Sequence, residues 1–172
     1  MSDVRVRALG SQDWQTYREL RLAALQEAPQ AFSNTFAQEA AFDEELWRTR
    51  MARSARLVAT ASAVPVGIVS VGQAPDPEVA ELFGMWVVPQ WRGAGVAWRL
   101  TEAAAEHARQ TKHRMLQAWV STENGRAVAF FSSYGFRPSD QRRAMAGGAE
   151  GQEMAMIYPV DGEPVWLPPP PA

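Results

Sequence analysis

The sequence contains no cysteine, which excludes disulfide bonds, thiolate zinc sites and cysteine nucleophiles. The sequence also has no large excess of positive or negative charge, because the formal net charge is -2. That balance gives no reason to expect nucleic acid or an anionic membrane as a partner. No apolar run approaches the length of a membrane span, and the opening stretch MSDVRVRALG lacks the apolar core of a signal peptide. These absences predict a soluble, cytoplasmic protein.

Apolar residues make up 47% of the chain, which is enough for a substantial core. The length suits one domain, which we place at residues 1–160, followed by a proline-rich tail at residues 161–172. Asp43 is the expected N-cap of the second helix. Gly147 and Gly148 are expected to form a hairpin turn between the last two strands. Periodicity predicts the order β-α-α-β-β-β-α-β-α-β-β, an α/β or α+β plan with one main sheet.

The segment VVPQWRGAGVAWRL, residues 87–100, places two glycines where an apolar strand gives way to a helix. Such a turn exposes unpaired backbone N–H groups at the positive end of the helix dipole, and glycines let a phosphate approach closely. A P-loop is excluded, because Gly-Lys-Ser/Thr does not follow. A dinucleotide fingerprint fits poorly, because Trp98 stands where it needs a small residue. The local pattern leaves an anion site and a plain strand-to-helix turn as equal alternatives.

Two motifs together resemble the GNAT superfamily of acyl-CoA-dependent N-acyltransferases. The first is the acyl-CoA pyrophosphate loop, Gln/Arg-x-x-Gly-x-Gly/Ala, and the second, NGRAVAFFSSYGF, follows one helix and one strand later. The matching residues are Gln90, Gly93 and Gly95 in the first motif and Asn124, Ala127, Gly135 and Phe136 in the second. The resemblance implies a GNAT fold of the α/β (α+β) class. That fold has a central mixed, mostly antiparallel sheet of about six to seven strands, with helices on both faces.

The resemblance also implies acetyl-CoA as co-substrate, with no metal. Backbone N–H groups of the loop would hold the pyrophosphate, and the end of the preceding strand would pair with the pantetheine arm and polarise the thioester carbonyl. The residues assigned to the co-substrate are Met85, Trp86, Val87, Val88, Gln90, Trp91, Arg92, Gly93, Ala94, Gly95, Val96, Ala97, Asn124 and Phe131. For Asn124 a helix N-cap is the alternative role, and it is compatible with binding CoA.

An amine must lose a proton before it attacks a thioester, so a general base is expected. Glu81 is our candidate, on the strand that precedes the loop, and regular pairing would place Phe83 and Met85 on its face. An exposed glutamate without a role is the alternative. Asn34 and Glu39 are weaker candidates for binding the acceptor amine, with a solvated helix face as the more ordinary expectation for both.

The general acid departs from the family pattern. Many members carry a tyrosine in the second motif that protonates the departing CoA thiolate, and here that position is Phe131. Tyr134 follows three residues later and is our candidate to replace it, with a buried structural tyrosine as the alternative.

The resulting hypothesis is an N-acetyltransferase that transfers acetyl from acetyl-CoA to a primary amine, by direct attack in a ternary complex. We expect a small-molecule acceptor, because no accessory domain or charged tract selects a protein tail. Acetylation of a protein N-terminus or lysine is the alternative within the family. A catalytically silent acyl-CoA-binding or sensor module is the alternative from another class. Dimers are common among members, which leaves a homodimer open.

Overall fold

A computed structural model describes residues 3–145 and 150–161, which form seven strands and five helices joined by short turns. The strands are β1 (Val4–Ala8), β2 (Ala55–Ala61), β3 (Val64–Gln73), β4 (Val79–Val87), β5 (Met115–Ser121), β6 (Arg137–Ala144) and β7 (Gln152–Pro159). The helices are α1 (Trp14–Glu27), α2 (Phe36–Ala40), α3 (Glu44–Arg53), α4 (Val96–Gln110) and α5 (Gly125–Tyr134). The predicted hairpin glycines Gly147 and Gly148, and the tail after Asp161, lie outside the described residues.

The seven strands form one mixed sheet in the order β1-β2-β3-β4-β5-β7-β6. Only β4 and β5 run parallel, and every other neighbouring pair is antiparallel. The segment between these two strands contains α4, which makes the crossover that a parallel pair requires. The fold class expected from the sequence is therefore confirmed, with seven strands.

Helices cover both faces of the sheet. α4 and α5 pack on one face over a core that includes Leu100, Leu116 and Phe136, and α1 and α3 pack on the other around Trp47 and Leu25. None of the helices in the described part of the chain is long and apolar enough to cross a membrane.

The helix starts follow local capping chemistry. Asp43 caps α3 as predicted, because its Oδ1 accepts a hydrogen bond of 2.9 Å from the Leu46 N–H. α2 was not predicted, although Thr35 and Gln38 form the Thr-x-x-Gln capping box that marks a helix start. The helix is only five residues long, so its sequence carries too little periodicity to stand out from an irregular connection.

A β-bulge interrupts β4. Ile68 pairs with Trp86, and Ser70 pairs with Phe83. The chain therefore advances two residues on β3 between these pairs but three residues on β4. Gly84 lies inside the bulge with φ of 64°, a conformation that favours glycine. The extra residue reverses the alternation of side chains after it. Met85 therefore lies on the α4 face and not, as regular pairing predicted, on the face of Glu81 and Phe83.

The close approach of α4 to β3 depends on Gly67. A Cβ added there would lie 2.9 Å from Val96 Cγ1, 3.2 Å from Leu100 Cδ1 and 3.2 Å from the Trp86 carbonyl oxygen. We expect Gly67→Ala to lower the free energy of unfolding by about 1–3 kcal/mol, as overpacking does. Gly125→Ala is the control, because nothing lies within 4 Å of its added Cβ. Urea unfolding measures both variants, and equal stability of the two would contradict the packing described here.

Candidate active site

A gap opens in the middle of the sheet where β4 and β5 separate. The two strands pair from Val79 with Met115 to Leu82 with Ala118. Beyond Leu82, β4 continues to Val87 and β5 continues to Ser121 without further pairing between them. The bulge at Gly84 falls at the start of the separation. The main chain of β4 after Leu82 therefore borders an opening in the sheet, which leaves it available to a ligand.

The glycine loop connects β4 to α4 and ends at the helix N-terminus. Gly93 and Gly95 have φ of 81° and 83°, and no atom in the described part of the chain lies within 4 Å of a Cβ built on either residue. The backbone conformation thus favours glycine at both positions, and both face open space. Within the described residues, no hydrogen bond uses the N–H groups of Gly93, Ala94, Gly95, Val96 or Ala97. These donors point to an anion site at the positive end of the α4 dipole.

Arg92 does not extend freely at the mouth of this loop. Its guanidinium pairs with Glu27 at the end of α1 and donates to the Val87 carbonyl. The Trp86 indole N–H also donates to Glu27, over 3.1 Å, and the hydrogen bonds from Trp86 and then Arg92 lower the pKa of that carboxyl. Trp86 thereby directs its side chain towards α1, so only its main chain borders the gap. Val88 packs on the same α1 face.

The remaining loop residues divide between contact with the core and exposure to solvent. Trp91 and Val87 pack partly buried against the α4 core, and Gln90 is exposed.

Asn124 caps α5, with Oδ1 accepting from the Ala127 N–H at 3.1 Å. The helix-cap role of Asn124 is thus present in the structure, and its amide N–H₂ forms no hydrogen bond within the described residues.

Phe131 and Tyr134, the two residues of the second motif considered for a role with CoA, are part of the core. Phe131 packs edge-on against Phe130 and Phe136. Tyr134 lies between Trp98 and Tyr158, at ring-centroid distances of 4.8 and 5.1 Å. Burial raises the pKa of Tyr134 well above its usual value, and the nearby Glu102 carboxylate adds to this effect. A tyrosine that holds its proton so firmly is a poor acid, so this placement favours a packing role.

Glu81 lies on the face of the sheet that carries α1, two residues before Phe83 and next to Gln117 of β5. Burial raises the pKa of its carboxyl, opposed by the charge of Arg143 and by the Trp119 indole. Arg143 stacks on Trp119 at 4.2 Å and pairs with Glu153 at 3.0 Å. A carboxyl with a raised pKa accepts a proton more readily than an exposed one, which suits a general base.

Glu39 is fully buried and not solvated as its helical position suggested. It accepts two hydrogen bonds from Arg21, of 3.0 and 2.9 Å, one from Arg50 of 2.7 Å and one from Asn34 of 3.1 Å. Burial alone would raise its pKa, but the hydrogen bonds and charges of the two arginines outweigh that effect and lower the pKa to about 2. Glu39 therefore holds the two arginines in place, while Asn34 remains exposed.

A small cavity of about 60 Å³ lies on the α1 face of the sheet beside the bulge. Its polar lining comes from residues that sequence reasoning missed, namely Tyr17, Arg21, Arg50, Arg56 and Ser70. A Cβ built on Gly84 would lie 3.8 Å from Arg21 Nη1 and 3.9 Å from Ser70 Oγ, so the bulge borders this cavity directly. A signal for Arg21 was present, because it lies one helical turn after Tyr17, on the apolar side of α1.

Arg56 is the most deeply buried of these arginines, with 4% of its surface exposed. It donates to Ser70 Oγ at 2.7 Å and to the Arg50 carbonyl at 2.9 Å, and its buried Nε has no hydrogen-bond partner among the residues that the structure describes. Burial lowers the pKa of its guanidinium. Among residues 3–145 and 150–161, no group of three His, Cys, Asp or Glu side chains is arranged to hold a metal ion.

The model of a known family, the acetyltransferase (GNAT) family, matches residues 18–136. The chain belongs to this family. An uncharacterised N-acetyltransferase of Methanocaldococcus jannaschii is 28% identical over 99 residues, covering 55% of this chain and 44% of the relative. Another of Archaeoglobus fulgidus is 33% identical over 72 residues, covering 42% and 46%. Each match thus spans less than half of the relative's length.

The fold agrees with solved structures of acetyltransferases. A putative acetyltransferase of Salmonella typhimurium, solved with acetyl-CoA, superposes with a TM-score of 0.71 at 18% identity, over 94% of this chain and 96% of that one. This likeness establishes the GNAT fold of the chain.

The Glu39 cluster makes a prediction about stability. A carboxyl with a folded pKa of about 2, against 4.5 ordinarily, stabilises the fold above pH 4.5, and this contribution disappears as the pH falls towards 2. We expect Glu39→Gln to lower the free energy of unfolding by about 3 kcal/mol at pH 7. Below pH 5 the free energy of unfolding of this variant should depend less on pH than that of the wild type. Exposed Glu45→Gln is the control. Urea unfolding at several pH values tests this, and an unchanged acid dependence in Glu39→Gln would refute it.

Proposed function

We propose that the protein transfers an acetyl group from acetyl-CoA to the primary amine of a small molecule, by direct attack in a ternary complex. The observation that carries the proposal is the row of free N–H groups from Gly93 to Ala97, in front of the gap between β4 and β5. Those donors suit the CoA pyrophosphate, and the gap suits the pantetheine arm, whose amides can pair with the β4 main chain from Met85 to Val88.

The bulge would position the thioester. A residue left out of the β ladder offers a main-chain N–H that no neighbouring strand uses. Such a donor near Gly84 and Met85 would polarise the thioester carbonyl, and a preorganised donor of this kind is typically worth about 3 kcal/mol of barrier. The amine nitrogen bonds to the carbonyl carbon, the carbon–sulfur bond breaks, and CoA leaves as the thiolate. The second proton, which the nitrogen loses on becoming an amide, passes to that thiolate or to water.

Glu81 is our candidate to remove the proton from the ammonium group. At pH 7, deprotonating an alkyl ammonium of pKa about 10.4 costs on the order of 4–5 kcal/mol, which a nearby base reduces. Glu81 and Phe83 share a sheet face with the cavity residue Ser70, so the base and the acceptor side lie on the same side of the sheet. A thiolate leaves readily, so the proposal assigns no side-chain acid, and Tyr134 serves in packing.

The test is release of free thiol from acetyl-CoA over a panel of polyamines, aminoglycosides, amino acids and peptides. Turnover with a small amine supports the proposal. Turnover confined to peptides would support acetylation of a protein N-terminus or lysine instead. Binding of acetyl-CoA with no turnover on any acceptor would favour a silent acyl-CoA sensor, and absence of acetyl-CoA binding would overturn the whole assignment.

Gly93→Glu should abolish most acetyl-CoA binding, because it adds bulk and negative charge where the pyrophosphate is expected. We expect the dissociation constant to rise at least about 100-fold, equivalent to about 2.7 kcal/mol. Gln110→Glu adds the same charge at the far end of α4, about 20 Å away, and should bind normally. Calorimetry measures both, and an unchanged affinity of a folded Gly93→Glu protein would contradict the loop assignment.

Glu81→Gln should lower kcat about 10²–10⁴-fold if Glu81 is the base. The raised pKa of Glu81 predicts that wild-type activity rises with pH as this carboxyl ionises, at a pH above its ordinary pKa. The variant should lose that rise and reach its optimum at higher pH, where more of the amine is already neutral. Glu78→Gln, at an exposed site just before β4, is the control. Identical pH profiles for wild type and Glu81→Gln would exclude the base role.

A further inference from the structure

The side chains that line the cavity beside the bulge carry more positive charge than the nearby carboxylate neutralises. Three arginines line it, Arg21, Arg50 and Arg56. One buried carboxylate, Glu39, pairs with both Arg21 and Arg50. Arg56 has no carboxylate within 4 Å among the described residues. The group of four side chains therefore has a formal charge of +2 at a site that is largely closed to water.

The surroundings of Arg56 do not replace a counter-ion. Its hydrogen bonds go to two neutral oxygens, on Ser70 and on the Arg50 backbone, and within residues 3–145 and 150–161 its Nε has no partner. Its guanidinium stacks on Tyr17 at 4.6 Å and lies 5.6 Å from the Phe83 ring. A buried charge is unfavourable unless it is paired. The planar guanidinium fork matches the two oxygens of a carboxylate or the oxygens of a phosphonate.

The cavity is also the right size and in the right place for the acidic end of an acceptor. Its volume of about 60 Å³ holds a head group of a few atoms and excludes a long chain. Gly84 lies in the bulge and also lines the cavity, and it has no side chain to fill the space between them and Arg21. A Cβ added to Gly84 would lie 3.8 Å from Arg21 Nη1. One small acceptor, with only a few bonds between its acid group and its amine, would thus place the acid group in the cavity and the amine at the thioester.

We propose that the acceptor is a small amino acid or aminophosphonate, whose acid group enters this cavity and pairs with Arg56 and Arg21 while its amine faces the thioester. The inference rests on the proposed acetyltransferase function and adds the class of acceptor. It excludes polyamines, and it excludes lysine side chains and protein N-termini, which carry no free acid group at this distance from the amine.

Matched acceptors test the inference in the wild-type protein. Alanine and leucine are each compared with the amine that lacks the α-carboxylate, with the methyl ester and with the corresponding aminophosphonate. The kcat/KM of at least one amino acid or aminophosphonate should be about 100-fold or more above that of its decarboxylated amine and of its ester. The amine and the ester bind without an acid group and so leave the arginines unpaired. Equal rates within each set, or faster turnover of the decarboxylated amines, would overturn the inference. The arm that is faster distinguishes carboxylate from phosphonate.

Arg56→Met tests the residue, with Arg48→Met on the exposed side of α3 as the matched control. The variant should lose the acid preference through a higher KM for the amino acid, while kcat/KM for the decarboxylated amine stays unchanged. Its Tm should not fall, because an unpaired buried charge is removed. Arg56→Lys keeps the charge and should retain part of the preference. A lower Tm with equal losses on both substrates would assign Arg56 a purely structural role and refute the inference.

A binding measurement separates this inference from the proposed function. Methylphosphonate or acetate, added at constant ionic strength without CoA, should raise the Tm of the wild type and of Arg48→Met but not of Arg56→Met. That result would stand even if acetyl-CoA failed to bind, which would overturn only the proposed function. An equal rise in all three proteins, or none in the wild type, would overturn the anion site.

Discussion

The extra residue in β4 is the constraint on which the rest of the site depends. Because Gly84 adds one residue opposite β3, Phe83 stays on the α1 face while Met85 lies on the α4 face. The same irregularity coincides with the point where β4 stops pairing with β5 after Leu82. The bulge, the gap and the β4 main-chain groups that β5 leaves unpaired therefore lie together, and Gly84 also lines a cavity.

Glu39 and Arg56, two buried charged groups near this bulge, differ in how their charges are compensated. Glu39 has two arginines and an amide around it, so its burial contributes to the fold and its pKa falls to about 2. Arg56 has only neutral oxygens and aromatic rings. The fold alone explains the first arrangement. The second leaves a buried charge without a carboxylate partner among the described residues, and burial of an unpaired charge opposes folding.

The sequence predicted those parts of the molecule that depend on short segments. The bounds of α4 (Val96–Gln110), the Asp43 cap and the glycine turn each follow from a few consecutive residues. The bulge was missed because regular alternation was assumed through Gly84, and only the pairing with β3 reveals the extra residue. The burial of Glu39 was missed because its partners Arg21 and Arg50 lie 18 and 11 residues away in the chain.

The same distinction separates the two halves of the candidate site. The pyrophosphate would be recognised by backbone N–H groups, which require only glycines that permit positive φ in one segment, and a family motif can therefore describe it. The acceptor would be recognised by side chains that tertiary folding gathers from α1, α3, β2 and β3. A short motif cannot encode such a set, because each residue alone is an ordinary arginine, tyrosine or serine. Acceptor class must therefore be inferred from the unmatched charge that these side chains create together.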